Sequence, residues 1–147
     1  MTLVLLLVNA AATWYLTGLI WTIQVVHYPL FAQVGKDSFA GYEASHTRRI
    51  TWVVGPPMLL ELVTSTALVL WRPEPLAAWW AWMGLALVGL VWVSTVVLQV
   101  PQHNRLARQF EPEAHRLLVQ TNWVRTLAWS ARAGLAVYAL AVVSSTG

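Results

Sequence analysis

The chain has 147 residues, the length of one domain; 58% are hydrophobic, only 10% are charged, and the mean hydropathy is +0.58. A water-soluble domain carries about 25% charged residues, so the composition predicts a protein immersed in lipid. The absence of cysteine excludes disulfides, thiolate metal sites and thiol nucleophiles. The net charge of +3 in such a chain reports membrane topology and not a nucleic-acid partner.

In chain order, Leu3 to Tyr28 contains no charged residue. It lacks the basic leading stretch of a signal peptide, and its apolar run is too long for one. Ile50 to Trp71 contains a single charge, Glu61. The stretch Arg72 to Pro75, with two prolines, is a tight turn. Leu76 to Val100 is again uncharged, and Leu117 to Val143 holds only Arg125 and Arg132. Each run exceeds the about 20 apolar residues that span a bilayer. The expected fold is therefore all-α: a single-domain integral membrane four-helix bundle over residues 1–147, with spans at 3–28, 50–71, 76–100 and 117–143.

The two longer connections, Pro29 to Arg49 and Pro101 to Arg116, fall on one side of the membrane. They hold Lys36, Arg48, Arg49, Arg105, Arg108 and Arg116, against Arg72 alone on the other side. The positive-inside rule places both long loops in the cytoplasm and both termini outside. The expectation is a multi-pass cell membrane protein.

All four histidines then lie at one membrane face. His27 ends helix one, His46 precedes helix two, His103 follows helix three and His115 precedes helix four. Four unrelated interfacial histidines would give the same placement. Helical periodicity at about 100° per residue favours convergence. Asn9, Thr13, Thr17, Gln24 and His27 share one side of helix one. Tyr42, His46, Arg49, Pro57 and Glu61 share a face of helix two, if Asp37 or Ser38 caps it, with a kink expected at Gly55-Pro56-Pro57. Trp92, Thr95, Gln99 and His103 align on helix three, with a break expected at Pro101. His115, Asn122, Arg125, Trp129 and Arg132 form a stripe on helix four, which Pro112 is placed to begin.

Polar stripes in lipid belong in the bundle interior. At about 1.5 Å per residue, Glu61 and Arg132 lie at similar depth, which predicts a structural ion pair between them. Arg125 is shallower and has no evident structural partner. Neutral imidazole suits metal ligation, haem ligation or proton transfer, so His27, His46, His103 and His115 are the candidate metal ligands, with a transition metal or haem as the cofactor. Glu43-Ala-Ser-His46 is an ExxH pair, and Glu111 stands four residues before His115. A carboxylate-bridged di-iron bundle needs a second such pair and two more glutamates. Serine triads, phosphate loops and dinucleotide fingerprints are absent from the sequence.

Val100 to Phe110, VPQHNRLARQF, followed by Thr121 to Arg132, TNWVRTLAWSAR, resembles the C-terminal half of the anthrone oxygenase-like membrane proteins. Pro101, Asn104 and Leu106 nearly fit that family's Pro-x-x-Asn-x-x-Leu segment, and Asn122, Arg125 and Thr126 fit its Asn-x-x-Arg-Thr segment. The stretches QVVHYPLF and YEASHTRR do not match the family. The resemblance implies a small four-helix protein that oxidises reduced aromatic polyketides with dioxygen. The resulting expectation is a membrane oxidoreductase or oxygenase acting on a lipophilic aromatic or quinone-like small molecule near the cytoplasmic face. In it His27 and His46 bind a metal or move protons, while Asn122 and Arg125 stabilise an oxyanion. Two alternatives stay open: a metal- or haem-binding membrane subunit without its own substrate, and a small transporter or assembly subunit.

Overall fold

The computed structural model describes residues 2–145, so Met1, Thr146 and Gly147 lie outside the described residues, and with them the expected placement of the chain ends. Four helices carry the chain: α1 (Thr2–Gln33), α2 (Lys36–Leu70), α3 (Ala78–Leu106) and α4 (Pro112–Ser144). All four are long and apolar enough to cross a membrane. A helix is the natural form for such runs, because lipid offers no partner to a free backbone N–H or C=O. The fold is an all-α four-helix membrane bundle.

The helices form a ring in which α1 packs on α2 and α4, and α3 packs on the same two. A small apolar cluster of Leu6, Leu68, Leu76, Trp80, Ala81 and Ala139 closes the end near the α2–α3 turn. A larger one, with Ile20, Phe31, Phe39, Leu106, Leu118 and Trp129 among its members, fills the half toward the histidines. Trp52, Val63, Trp82, Val93 and Leu127 are exposed. Such an apolar outer surface is consistent with contact with lipid.

The helices run further than the apolar runs suggest. Helix α1 continues past Pro29 as far as Gln33, and the chain turns at Val34 and Gly35, not at Tyr28-Pro29. Helix α2 begins at Lys36 with Gly35 as its N-cap, not with Asp37 or Ser38, and it contains Pro56 and Pro57 without interruption of the helix. Helix α3 passes through Pro101 to Leu106.

Both early prolines follow a wide turn. Ile23–His27 and Thr95–Gln99 are π-helical, with Tyr28 N–H donating to Ile23 O and Val100 N–H donating to Thr95 O. Proline lacks an N–H and its ring crowds the carbonyl one turn back. A π turn just before it loosens that ladder, so the helix survives. Pro29 and Pro101 each sit two residues beyond such a turn.

The inward face of early α2 also differs from the expected stripe. Glu43 and His46 are buried, whereas Tyr42 and Arg49 are exposed. The buried series His46, Met58, Glu61, Ser65 and Leu68 fixes the phase, and it carries Glu43 inward in place of Tyr42.

Candidate functional site

The interior holds three polar levels, and they differ in how completely they are satisfied. The deepest surrounds Glu61. Its Oε1 accepts from Arg132 Nε at 2.8 Å and from the Thr13 hydroxyl at 2.7 Å, and its Oε2 accepts from Trp129 Nε1 at 2.9 Å. Arg132 Nη1 donates to the Gly84 carbonyl at 2.6 Å, and Nη2 reaches Asn9 Oδ1, Thr13 and Ser65 at 3.1–3.2 Å. Glycine at 84 permits this approach, since a Cβ there would lie 3.1 Å from Arg132 Nη1. Asn9 in turn donates to Thr64 at 2.8 Å and to Ser65 at 3.0 Å. All four helices contribute, and the charges are paired.

One level up, Gln24 joins α1 to α4. Its Oε1 accepts from Asn122 Nδ2 at 2.9 Å, and its Nε2 donates to the Val119 carbonyl at 3.1 Å. Gln99 makes the matching tie from α3, donating to Thr121 at 3.1 Å while accepting from Ser94 at 3.0 Å. Asn122 is fully buried; its Nδ2 donates to Gln24 and its Oδ1 accepts from Arg125 Nη1 at 3.4 Å. It thereby holds α1 against α4.

The third level is the histidine end. His27 Nε2 and His46 Nδ1 are 2.9 Å apart, one donating and the other accepting. The His46 and His103 rings are 5.7 Å apart between centroids. His103 Nδ1 lies 2.5 Å from Glu43 Oε1, and its Nε2 lies 3.0 Å from the Tyr28 hydroxyl. Tyr28 is an electrostatic neighbour of both Arg125 and Glu43. Three of the four histidines thus gather, together with two residues that were not among the expected site residues, Glu43 and Tyr28.

His115 is set apart. Its Nε2 donates to the Tyr28 carbonyl at 2.7 Å, and its ring packs on Phe31 and Phe110 at 6.4 and 5.6 Å. It braces the end of α1 where that helix passes through Pro29. Among the described residues, no group of three or more His, Asp or Glu is arranged to hold a metal ion. His27 and His46 bond to each other, His103 bonds to Glu43 and Tyr28, and His115 bonds to the Tyr28 carbonyl, so a four-histidine ligand set is not the arrangement found.

The histidine end can instead move protons. Glu43, His103 and Tyr28 form a carboxylate–imidazole–phenol chain that crosses from α2 through α3 to α1. With the carboxylate accepting from Nδ1–H, a neutral His103 ring presents a bare Nε2 to the Tyr28 hydroxyl. Three buried polar atoms here have no hydrogen-bond partner: Glu43 Oε2, His46 Nε2 and Arg125 Nε. More than nine in ten buried polar groups are normally partnered, by protein or by ordered water, so these three atoms leave polar positions open to water or to a ligand. Both π turns end beside this region, and such turns recur at functional sites.

The ExxH spacing of Glu43 and His46 was the available signal for Glu43. Tyr28 carried no comparable signal, because its partners all lie on other helices. No family model, curated protein or solved structure matches the chain.

Proposed function

We propose that this chain is a membrane-embedded oxidoreductase of the oxygenase type, which takes a proton from a lipophilic aromatic or quinone-like substrate at the histidine end of the bundle. One observation carries the reading: a buried base system with open atoms, Glu43 Oε2 and His46 Nε2, lies in the same region as a buried guanidinium with an open N–H, Arg125 Nε. When His27 accepts at Nε2, His46 donates from Nδ1 and its Nε2 is a bare lone pair. That nitrogen takes a proton from an activated aromatic CH2 or hydroxyl. Glu43, His103 and Tyr28 hold and pass protons beside it, and Arg125 faces the oxygen on which negative charge develops.

The electron-rich enolate then reduces dioxygen, the oxidant that the anthrone oxygenase resemblance implies. In balance, a doubly activated CH2 and O2 give a ketone carbonyl and water. The substrate class is supported by the setting, an acid–base site whose outer surface is exposed Val, Leu and Trp. We place this end at the cytoplasmic face, with both chain ends outside, because six of the nine basic residues lie in the stretches 29–49 and 101–116. A reporter fused after Gly147 that reads as cytoplasmic would overturn that orientation.

The reaction is tested by incubating the purified chain in detergent with an anthrone or a hydroquinone, following oxygen uptake and the absorbance of the quinone formed. Wild type is expected to exceed empty micelles. His46→Gln is expected to lose about 10²–10⁴-fold in kcat/KM, the range for a general acid–base group. Oxygen uptake by wild type no faster than in empty micelles with either probe contradicts the reading.

A further inference from the structure

Arg125 and Arg132 lie on one face of α4 and meet opposite surroundings. Each is 5% exposed. Arg132 is paired with Glu61, whereas among the described residues no carboxylate pairs with Arg125. The Arg125 guanidinium lies over the Trp129 ring, 5.2 Å from its centroid, and Nη1 donates to Asn122 Oδ1 at 3.4 Å. The Tyr28 hydroxyl is its electrostatic neighbour, and Nε has no partner.

A guanidinium taken out of water loses far more hydration energy than a ring face, the neighbouring neutral Tyr28 hydroxyl and one long bond to a neutral amide return. The compensation that Arg132 receives from Glu61 must reach Arg125 from elsewhere. Glu43 is engaged by His103 at 2.5 Å. Among the described residues no carboxylate pairs with Arg125 directly, and an anion that is not part of the chain would supply that charge.

We propose that Arg125 is the anion-binding residue of this site, and that the site binds the ionised form of its ligand, the state that proton removal produces, in preference to the neutral form. The ligand class is a lipophilic aromatic acid of hydroxyquinone type, whose ionised enolic or phenolic oxygen sits against Arg125 Nε. A delocalised oxygen anion suits a planar guanidinium. The flanking rings of Trp129, Tyr28 and Phe31 favour an aromatic body over an alkyl chain. This deepens the proposed function and rests on it only for the location of the substrate; it adds the charge state that the site selects.

Three unreactive probes test it: a hydroxynaphthoquinone with its acidic hydroxyl beside a carbonyl, the methyl ether of the same compound, and dodecanoate. Binding is measured by calorimetry on the full chain in detergent micelles, with empty micelles subtracted. The hydroxyquinone anion is expected to bind about 10–100-fold more tightly than its ether, the scale of one hydrogen bond to a charged group. Arg125→Gln should abolish that preference, and Arg125→Lys, which keeps the cation, should retain part of it. Equal affinity of wild type for hydroxyquinone and ether, or no binding of the hydroxyquinone, overturns the proposal. So does a preference that survives in Arg125→Gln. Dodecanoate binding as tightly as the hydroxyquinone overturns the aromatic assignment. The wild-type comparison decides even if a variant fails to fold. No probe is turned over, so this result and that of the oxidation assay stand apart.

Discussion

Helix α2 carries two buried glutamates, Glu43 at 0% and Glu61 at 1% exposure. At about 1.5 Å per residue they stand about 27 Å apart along the helix. Glu61 has a partner for each of its oxygens, and its charge is matched by Arg132. Glu43 has one partner, His103, and its Oε2 has none. The two arginines of α4 repeat the contrast, Arg132 with every nitrogen engaged and Arg125 with Nε open. A fully satisfied buried network specifies packing, whereas open polar atoms in a low-dielectric interior are destabilising unless something binds them. The bundle is thus held together at mid-depth and left with open polar atoms at one end.

The contrast breaks most sharply at the satisfied end. Glu61→Gln leaves Arg132 without a counter-charge and sets an amide NH2 against either the Trp129 N–H or the Arg132 and Thr13 donors. It should cost about 3–5 kcal/mol of stability, measured as chemical unfolding in detergent. Glu61→Gln with Arg132→Gln should recover part of that loss; a double variant no better than the sum of the singles would show that the pair is not coupled. A smaller effect is expected from Gly84→Ala, whose new methyl group would crowd Arg132 Nη1. About 1–3 kcal/mol is the usual scale for such overpacking, and an unchanged unfolding midpoint would mean that Arg132 moves aside freely. The smallest belongs outside the core. Arg105 meets Glu111 at 2.6 Å with side chains 42% and 31% exposed. Removing it should change stability by about 0–1 kcal/mol, and less as salt is raised.

Much of this bundle was legible in the sequence, for identifiable reasons. Charge-free runs longer than a bilayer is thick have few alternatives to a spanning helix. Glu61 and Arg132 are two opposite charges at one depth in lipid, and the structure pairs them at 2.8 Å. What stayed hidden depends on neighbours. Pro29 and Pro101 read as helix ends, because nothing in a sequence pattern announces the π turns that precede them. The face of α2 could be narrowed only to a third of its circumference, and that width admits Tyr42 and Arg49 while leaving out Glu43. His115 shares a membrane level with the other histidines, yet a backbone carbonyl of α1 claims its Nε2. Asn122 lies on the expected stripe, and its bond to Gln24 of α1 could not be read from that stripe. Such pairings are decided across helices, where periodicity carries no information.

The central claim, that one buried glutamate supports the fold and the other the chemistry, is tested most directly by one substitution made at both. Unfolding free energy and the rate of oxygen uptake with an anthrone are measured for Glu43→Gln and Glu61→Gln in the same detergent. At position 43 the glutamine oxygen can still accept from His103, and its amide nitrogen falls where Oε2 has no partner. Glu43→Gln should therefore stay within about 1 kcal/mol of wild type in stability, the scale of one ordinary hydrogen bond. Its oxygen uptake should fall by about 100-fold or more. Glu61→Gln should lose stability severalfold more than that. A Glu43→Gln variant as unstable as Glu61→Gln, with wild-type oxygen uptake in its folded fraction, would contradict the account.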